Sequence, residues 1–151
     1  MILRSEEDTA GAGAALARQA RAGDVITLAG GLGVGKTAFA RGLINALGHE
    51  GDVPSPTFAI VQPYDELDPP VWHVDLYRIE DESEIDELGL DAAVDAVLLV
   101  EWPERAGPGA WPNALRINID FGQDGARILT AKVPRHGRGD GHPDDSAAAC
   151  P

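Results

Sequence analysis

A chain of 151 residues is about one domain's worth, enough to close a single core. Its 25 acidic residues outweigh 12 Lys and Arg, for a formal net charge of -13 and a pI near 4.5. That balance excludes the clustered basic face that counter-ion release on DNA or RNA requires. The one cysteine, Cys150, leaves no internal disulfide. No apolar run approaches the roughly 20 residues needed to cross a bilayer. The opening MILRSEEDT turns acidic at once, unlike a signal peptide. A cytoplasmic single domain that meets other proteins is expected.

In chain order, MILRS reads as a short strand. The Ala-rich stretch from Glu6 to Gly23 starts acidic and turns basic at Arg18 and Arg21, a charge order that complements a helix dipole. A helix is expected from about Glu6 to Arg21, weakened in its first turns by Gly11 and Gly13. DVITLAG, Asp24 to Gly30, is a compact apolar run suited to a strand covered on both faces. A helix follows, with Phe39, Leu43 and Leu47 on one side and Gly48 as its stop. Beyond VPSPT, FAIVQPYD and PVWHVDLYR read as strands joined by ELDPP. Alternation along the second puts Trp72, Val74 and Leu76 on one face and His73, Asp75 and Tyr77 on the other. ESEIDELGLDAAVDA is helical in pieces, broken around Gly89, and VLLVEW is a buried strand. ALRINIDF and ARILTAKV form a hairpin around GQDG, with Leu115, Ile117, Ile119 and Phe121 on its apolar side. From about Pro134, Gly, Pro and charge replace apolar periodicity. The expected organisation is one domain over 1–133 and a disordered tail over 134–151.

GGLGVGKTAFARG, Gly30 to Gly42, carries the chemistry. Gly30-x-x-x-x-Gly35-Lys36-Thr37 has phosphate-loop spacing, with a strand before it and a helix after it. Glycines let backbone N–H groups converge on phosphates, Lys36 supplies a point charge, and the Thr37 hydroxyl ligates magnesium. The whole run from Gly30 through Gly31, Leu32, Gly33, Val34, Gly35, Lys36 and Thr37 to Ala38 is the expected nucleotide cradle. Of the chain's two lysines one is here, and the other lies in TAKVP. No Asn-Lys-x-Asp guanine reader exists, so ATP is the favoured nucleotide.

A magnesium-holding carboxylate belongs near the C-terminal end of a neighbouring strand. Asp75 and Glu101 are the candidates. The first faces the alternative that its strand merely has a solvated face, the second that it is an ordinary strand-end acid. PSPT, Pro54 to Thr57, is a rigid segment whose hydroxyls could sense a terminal phosphate, or simply a turn entering a strand. His136 and His142 among tail acids read as solvated. Trp72, Trp102 and Trp111 read as packing residues. Neither a Ser-His-Asp order nor zinc spacing appears.

With the loop, SPTF, HVDLYR, ELGL and VEWPER in order from about Thr9 to the final hairpin, the chain resembles the TsaE (YjeE) family. These are small P-loop ATPases of bacterial tRNA threonylcarbamoyladenosine synthesis. The resemblance implies that Gly30, Gly33, Gly35, Lys36 and Thr37 hold ATP and Mg2+, and that Ser55, Pro56 and Thr57 form a switch-like loop. It implies that Asp75 is the Walker-B-like acid and Glu101 a second acid at the metal and water, with Tyr77, Arg78 and Trp102 supporting. Catalysis would then rest on Asp75, Glu101, Thr57 and Lys36, and metal binding on Thr37, Asp75 and Glu101. The implied partner is the TsaD–TsaB pair, in which TsaD transfers threonylcarbamoyl to an anticodon-adjacent adenosine, so tRNA is met only through the complex. Gly31 departs from the family's usual acid at that position.

The expected fold is α/β, a three-layer P-loop NTPase-like arrangement with a mainly parallel sheet and antiparallel additions. Two other functions compete. A small metabolite kinase would need an Arg-bearing lid, for which only Arg78 lies between Arg41 and Arg105. A nucleotide-binding interaction module would not need Asp75 and Glu101.

Overall fold

The computed structural model describes residues 1–134. In chain order it contains β1 (Ile2–Leu3), α1 (Glu6–Ala17), β2 (Val25–Ala29), α2 (Lys36–Ala46), β3 (Val61–Tyr64), β4 (Val71–Asp75), α3 (Ser83–Asp86), β5 (Val97–Glu101), β6 (Leu115–Phe121) and β7 (Arg127–Lys132). Short 3-10 turns occupy Leu90–Ala92 and Pro103–Ala106. Apart from Pro134, the expected tail, with His136 and His142, lies outside the described residues.

The strands form one seven-stranded sheet in the order β1-β7-β6-β2-β5-β4-β3. The central four, β6-β2-β5-β4, are parallel, while β3 and the β7–β1 pair add antiparallel edges. The two compact apolar runs, β2 and β5, are neighbours at the centre, where a strand must be apolar on both faces. On one face α1 and α2 pack over Ile26, Leu28, Val71, Leu99, Ile117 and Ile119. On the other, Val74, Leu98 and Val100 are covered by Leu76, Ile79, Ala93, Ala96 and the Trp72, Trp102 and Trp111 rings. That second cover is made of turns and one-turn helices. Gly89 breaks it as expected, with φ 70°.

Local chemistry shortens several expected elements. Ser5 caps α1, its Oγ accepting from Asp8 N at 3.0 Å, but the helix ends at Ala17. The chain must turn there to enter β2. Arg18 is the C-cap, and Arg21, whose N–H donates to Asp24 Oδ2 at 2.8 Å, lies in the turn beyond it, so the last helical turn carries no basic residue. FAIVQPYD becomes a strand only from Val61, because Ile60 adopts φ 69° and its N–H turns back to the Pro56 carbonyl. Phe58 is left 85% exposed. PVWHVDLYR stops at Asp75, whose own Oδ1 takes the Tyr77 N–H at 2.8 Å. Tyr77 therefore leaves the sheet and does not continue the His73–Asp75 row. Phe121, placed with the apolar side of the hairpin, is 58% exposed. It extends past the last β2–β6 pairing at Asn118, and the Arg127 guanidinium lies 4.5 Å over its ring.

The glycines that weaken α1 on paper have opposite meanings. A Cβ on Gly13 would run into the Phe39 carbonyl, and one on Gly42 into the Ala10 backbone, so these two glycines set the close approach of α1 to α2. Gly11 is exposed and faces open space. Gly42→Ala is therefore expected to lower unfolding free energy by about 1–3 kcal/mol through overpacking. Gly11→Ala should raise it by up to about 1 kcal/mol by restricting the unfolded chain and favouring helix. Urea unfolding of the two variants checks both signs.

Candidate active site

The loop between β2 and α2 is bent as phosphate binding requires. Gly30, Gly33 and Gly35 have φ of 147°, 74° and 115°, conformations that L side chains rarely adopt. At Gly30 a Cβ would also strike the Ile119 carbonyl and approach Val34 Cγ1 to 2.8 Å. Gly31 differs: its φ is ordinary and open space surrounds it, so the backbone does not demand glycine there. Leu32 sits at the exposed tip, while Val34 and Ala38 anchor the loop in the core.

Lys36 is 5% exposed, and its Nζ donates to the Gly30 carbonyl at 2.6 Å and the Gly31 carbonyl at 2.8 Å. The ammonium also lies 4.1 Å from the centre of the Trp102 ring. Burial lowers its pKa, against the opposing pull of Glu101, Glu104 and Asp75. Loop carbonyls and an aromatic face hold the charge.

Asp75 and Glu101 are direct partners in the β4–β5 register, each 2% exposed, on the face that α2 covers. At 2% exposure Asp75 does not lie on a solvated strand face. Thr37, on the first turn of α2, reaches Glu101 with Oγ1 at 3.2 Å from Oε2 and 3.4 Å from Oε1. Thr57 Oγ1 donates to Asp75 Oδ2 at 2.9 Å, and Ser55 Oγ lies 2.7 Å from Thr57 Oγ1 and 3.4 Å from the same oxygen. PSPT is thus more than a turn entering a strand: its two hydroxyls latch the loop onto a buried carboxylate. His73, fully buried, places Nε2 2.7 Å from Glu101 Oε2.

His73 lies behind these groups, and the remaining side chains line one cleft of about 520 Å³. Lys36, Thr37, Thr57, Asp75, Glu101 and Trp102 form one end, so all four expected catalytic residues meet there. The other end lies by Thr9, Arg41 and Arg127. Arg127 comes from β7, where its Nε donates to the Val34 carbonyl at 3.1 Å and braces the phosphate loop from outside. Sequence reading missed Arg127 because only the sheet order brings β7 to the loop. It did not single out His73 as the neighbour of Glu101 either, although the shared face with Asp75 was a usable signal. Arg78 does not reach into the cleft; its guanidinium lies 5.0 Å over the exposed Phe58 ring.

The donor set suits a magnesium nucleotide. Among the described residues no three His, Cys, Asp or Glu side chains form a self-sufficient metal cage. One hydroxyl and one or two carboxylates beside a phosphate cradle is the arrangement that magnesium takes, since it keeps waters and shares phosphate oxygens.

The family model described as threonylcarbamoyl adenosine biosynthesis protein TsaE matches residues 3–129. The chain belongs to the TsaE family. Among relatives named tRNA threonylcarbamoyladenosine biosynthesis protein TsaE, the one from Haemophilus influenzae is 37% identical over 107 residues, 69% of this chain and 67% of its own. Those from Streptomyces coelicolor and Bacillus subtilis are 43% and 42% identical, covering 72% and 74% of this chain and 76% and 70% of theirs. The crystal structure of Bacillus subtilis YdiB superposes with a TM-score of 0.73 at 29% identity, covering 99% of this chain and 89% of that one. The fold is that of the P-loop NTPases, and the TsaE family ties it to threonylcarbamoyl adenosine biosynthesis. No helix among the described residues is long and apolar enough to cross a membrane.

The latch sets an expectation for the nucleotide-free TsaE-family protein. Thr57→Val removes the shorter of the two hydroxyl bonds to Asp75, so amide exchange across 53–60 should rise about 5–10-fold, the scale of one hydrogen bond. An unchanged rate, read by mass spectrometry, would mean that packing alone holds the loop.

Proposed function

We propose that the protein binds ATP with Mg2+, hydrolyses it slowly alone, and uses it in the cytoplasm to drive turnover of the TsaD–TsaB pair during tRNA threonylcarbamoyladenosine synthesis. The observation that carries this is the convergence of a phosphate loop with two buried carboxylates and a hydroxyl latch in a single cleft. Family membership supports the pathway, and the family resemblance supports the partner. The net charge of -13 fits a protein that meets tRNA only through other subunits.

Gly30 to Ala38 would wrap the phosphates, with the N-terminus of α2 adding its partial positive charge. Lys36 would leave the Gly30 and Gly31 carbonyls for the outer phosphate oxygens. Thr37, Asp75 and Glu101 are the metal-side groups. Magnesium, when bound, supplies charge neutralisation on the outer phosphates. Asp75 and Glu101 orient the attacking water, while Thr57 is the hydroxyl that trades Asp75 for the terminal phosphate. Loss or retention of that phosphate then decides whether the loop is latched, which is the form in which a partner would read the nucleotide.

A small-molecule kinase is the weaker reading. Two further hollows, one lined by Arg116, Trp111 and Lys132 and one by Glu82, Asp86 and Trp111, include neither Asp75 nor Glu101. Neither of these hollows therefore serves as an acceptor cavity lined by the carboxylates.

Lys36→Ala should weaken MgATP binding at least about tenfold, the scale of a charged hydrogen bond, as measured by calorimetry. Phosphate release from ATP should be slow for the protein alone, rise at least about tenfold with TsaD–TsaB, and disappear in that variant. Equal rates with and without the pair would remove the partner-driven reading, and rapid transfer to a metabolite would establish the kinase.

A further inference from the structure

His73 is fully buried, yet none of the roles assigned above uses it. Its strand partners in register are Gln62 and Leu99, and its Nε2 has one polar neighbour, Glu101 Oε2, at 2.7 Å. Its Nδ1 is the one buried side-chain nitrogen or oxygen among the described residues without a hydrogen-bond partner. Burying an imidazole for packing alone is unfavourable, because a leucine would fill the space without an orphaned polar atom.

The ring's asymmetry is informative. With Glu101 acting as a carboxylate, the shared hydrogen belongs to Nε2, and in the neutral imidazole Nδ1 is then the bare nitrogen. That is the less costly atom to leave unpaired, since an orphaned N–H is the rarer fault. Oε2 accepts this bond while both Glu101 oxygens lie within 3.4 Å of Thr37 Oγ1. The side chain of Glu101 is thus fixed from behind by His73 and faces the first turn of α2 in front.

We infer that His73 is a positioning residue: its Nε2–H sets the orientation of the Glu101 carboxylate toward Thr37 and the phosphate end of the cleft. This rests on the proposed role of Glu101 in ATP hydrolysis. Removing a hydrogen-bond partner behind a metal-side ligand typically costs 10–100-fold in activity or metal affinity.

The test uses the full chain with Glu101→Gln, His73→Leu, His73→Gln and the His73→Leu/Glu101→Gln pair. Gln can place an amide N–H near the Nε2 position, whereas Leu only fills volume. Expected for His73→Leu are kcat down about 10–100-fold, KM within about threefold and an undiminished Tm. His73→Gln should recover most of the rate, and the double variant should be no slower than Glu101→Gln alone. Ring 15N NMR of the nucleotide-free wild type should show Nε2 protonated and Nδ1 bare, with the Nε2 signal moving in Glu101→Gln.

A slow Glu101→Gln beside a full-rate His73→Leu would overturn the positioning role. So would a Leu variant that is slow only because its Tm falls, with no recovery in Gln, or a proton found on Nδ1 instead. A full-rate Glu101→Gln would instead remove the catalytic reading of Glu101 itself, and the NMR result would then judge the His73–Glu101 bond separately.

Discussion

Two carboxylates lie side by side at the ends of adjacent parallel strands, both almost without solvent, and the rest of the site answers that constraint. Asp75 and Glu101 are register partners in β4 and β5 and would repel one another if left alone. Each is instead surrounded by donors. Asp75 accepts from Thr57, Ser55 and the Tyr77 backbone, while Glu101 is held by Thr37 and His73. Lys36 adds a nearby positive charge, and the N-terminus of α2 points the same way.

That arrangement couples elements far apart in sequence. The strand β4 ends because Asp75 bonds to its own backbone two residues on, and the turn this creates brings Tyr77 and Trp102 together at 4.9 Å between ring centres. Trp102 in turn takes φ 59° directly after Glu101, which aims its ring at Lys36. Such a backbone is costly for a tryptophan and persists only where the surroundings over-determine it. Lys36, the two acids and the Ser-Pro-Thr latch therefore share neighbours. In the proposed function, a change at the phosphates reaches Asp75 and its latched loop without crossing the core.

Much of this was legible in the sequence because it is local. Glycine spacing, the apolar runs of β2 and β5, and acids at strand ends are patterns within a few residues. The placement of β7 against the phosphate loop was not legible, since it depends on the sheet order β1-β7-β6-β2, and so Arg127 went unnoticed. Alternation found the common face of His73 and Asp75 but failed for Tyr77 and Phe121. Periodicity assumes that a strand continues, and here one is ended by its own aspartate and the other outruns its neighbour. Gly13 looked like a helix weakness because propensity cannot see the Phe39 carbonyl that occupies the place of its missing side chain.

A crystal structure with Mg2+ and a non-hydrolysable ATP analogue would show whether the nucleotide occupies the Gly30–Ala38 loop. The account predicts Lys36 Nζ moved from the Gly30 and Gly31 carbonyls to the outer phosphates, and a metal about 2.0–2.1 Å from Thr37 Oγ1. It also predicts Thr57 turned from Asp75 toward the terminal phosphate. An analogue bound away from the loop would contradict it, as would one bound there with Lys36 still on the carbonyls, no metal at Thr37 and the latch closed.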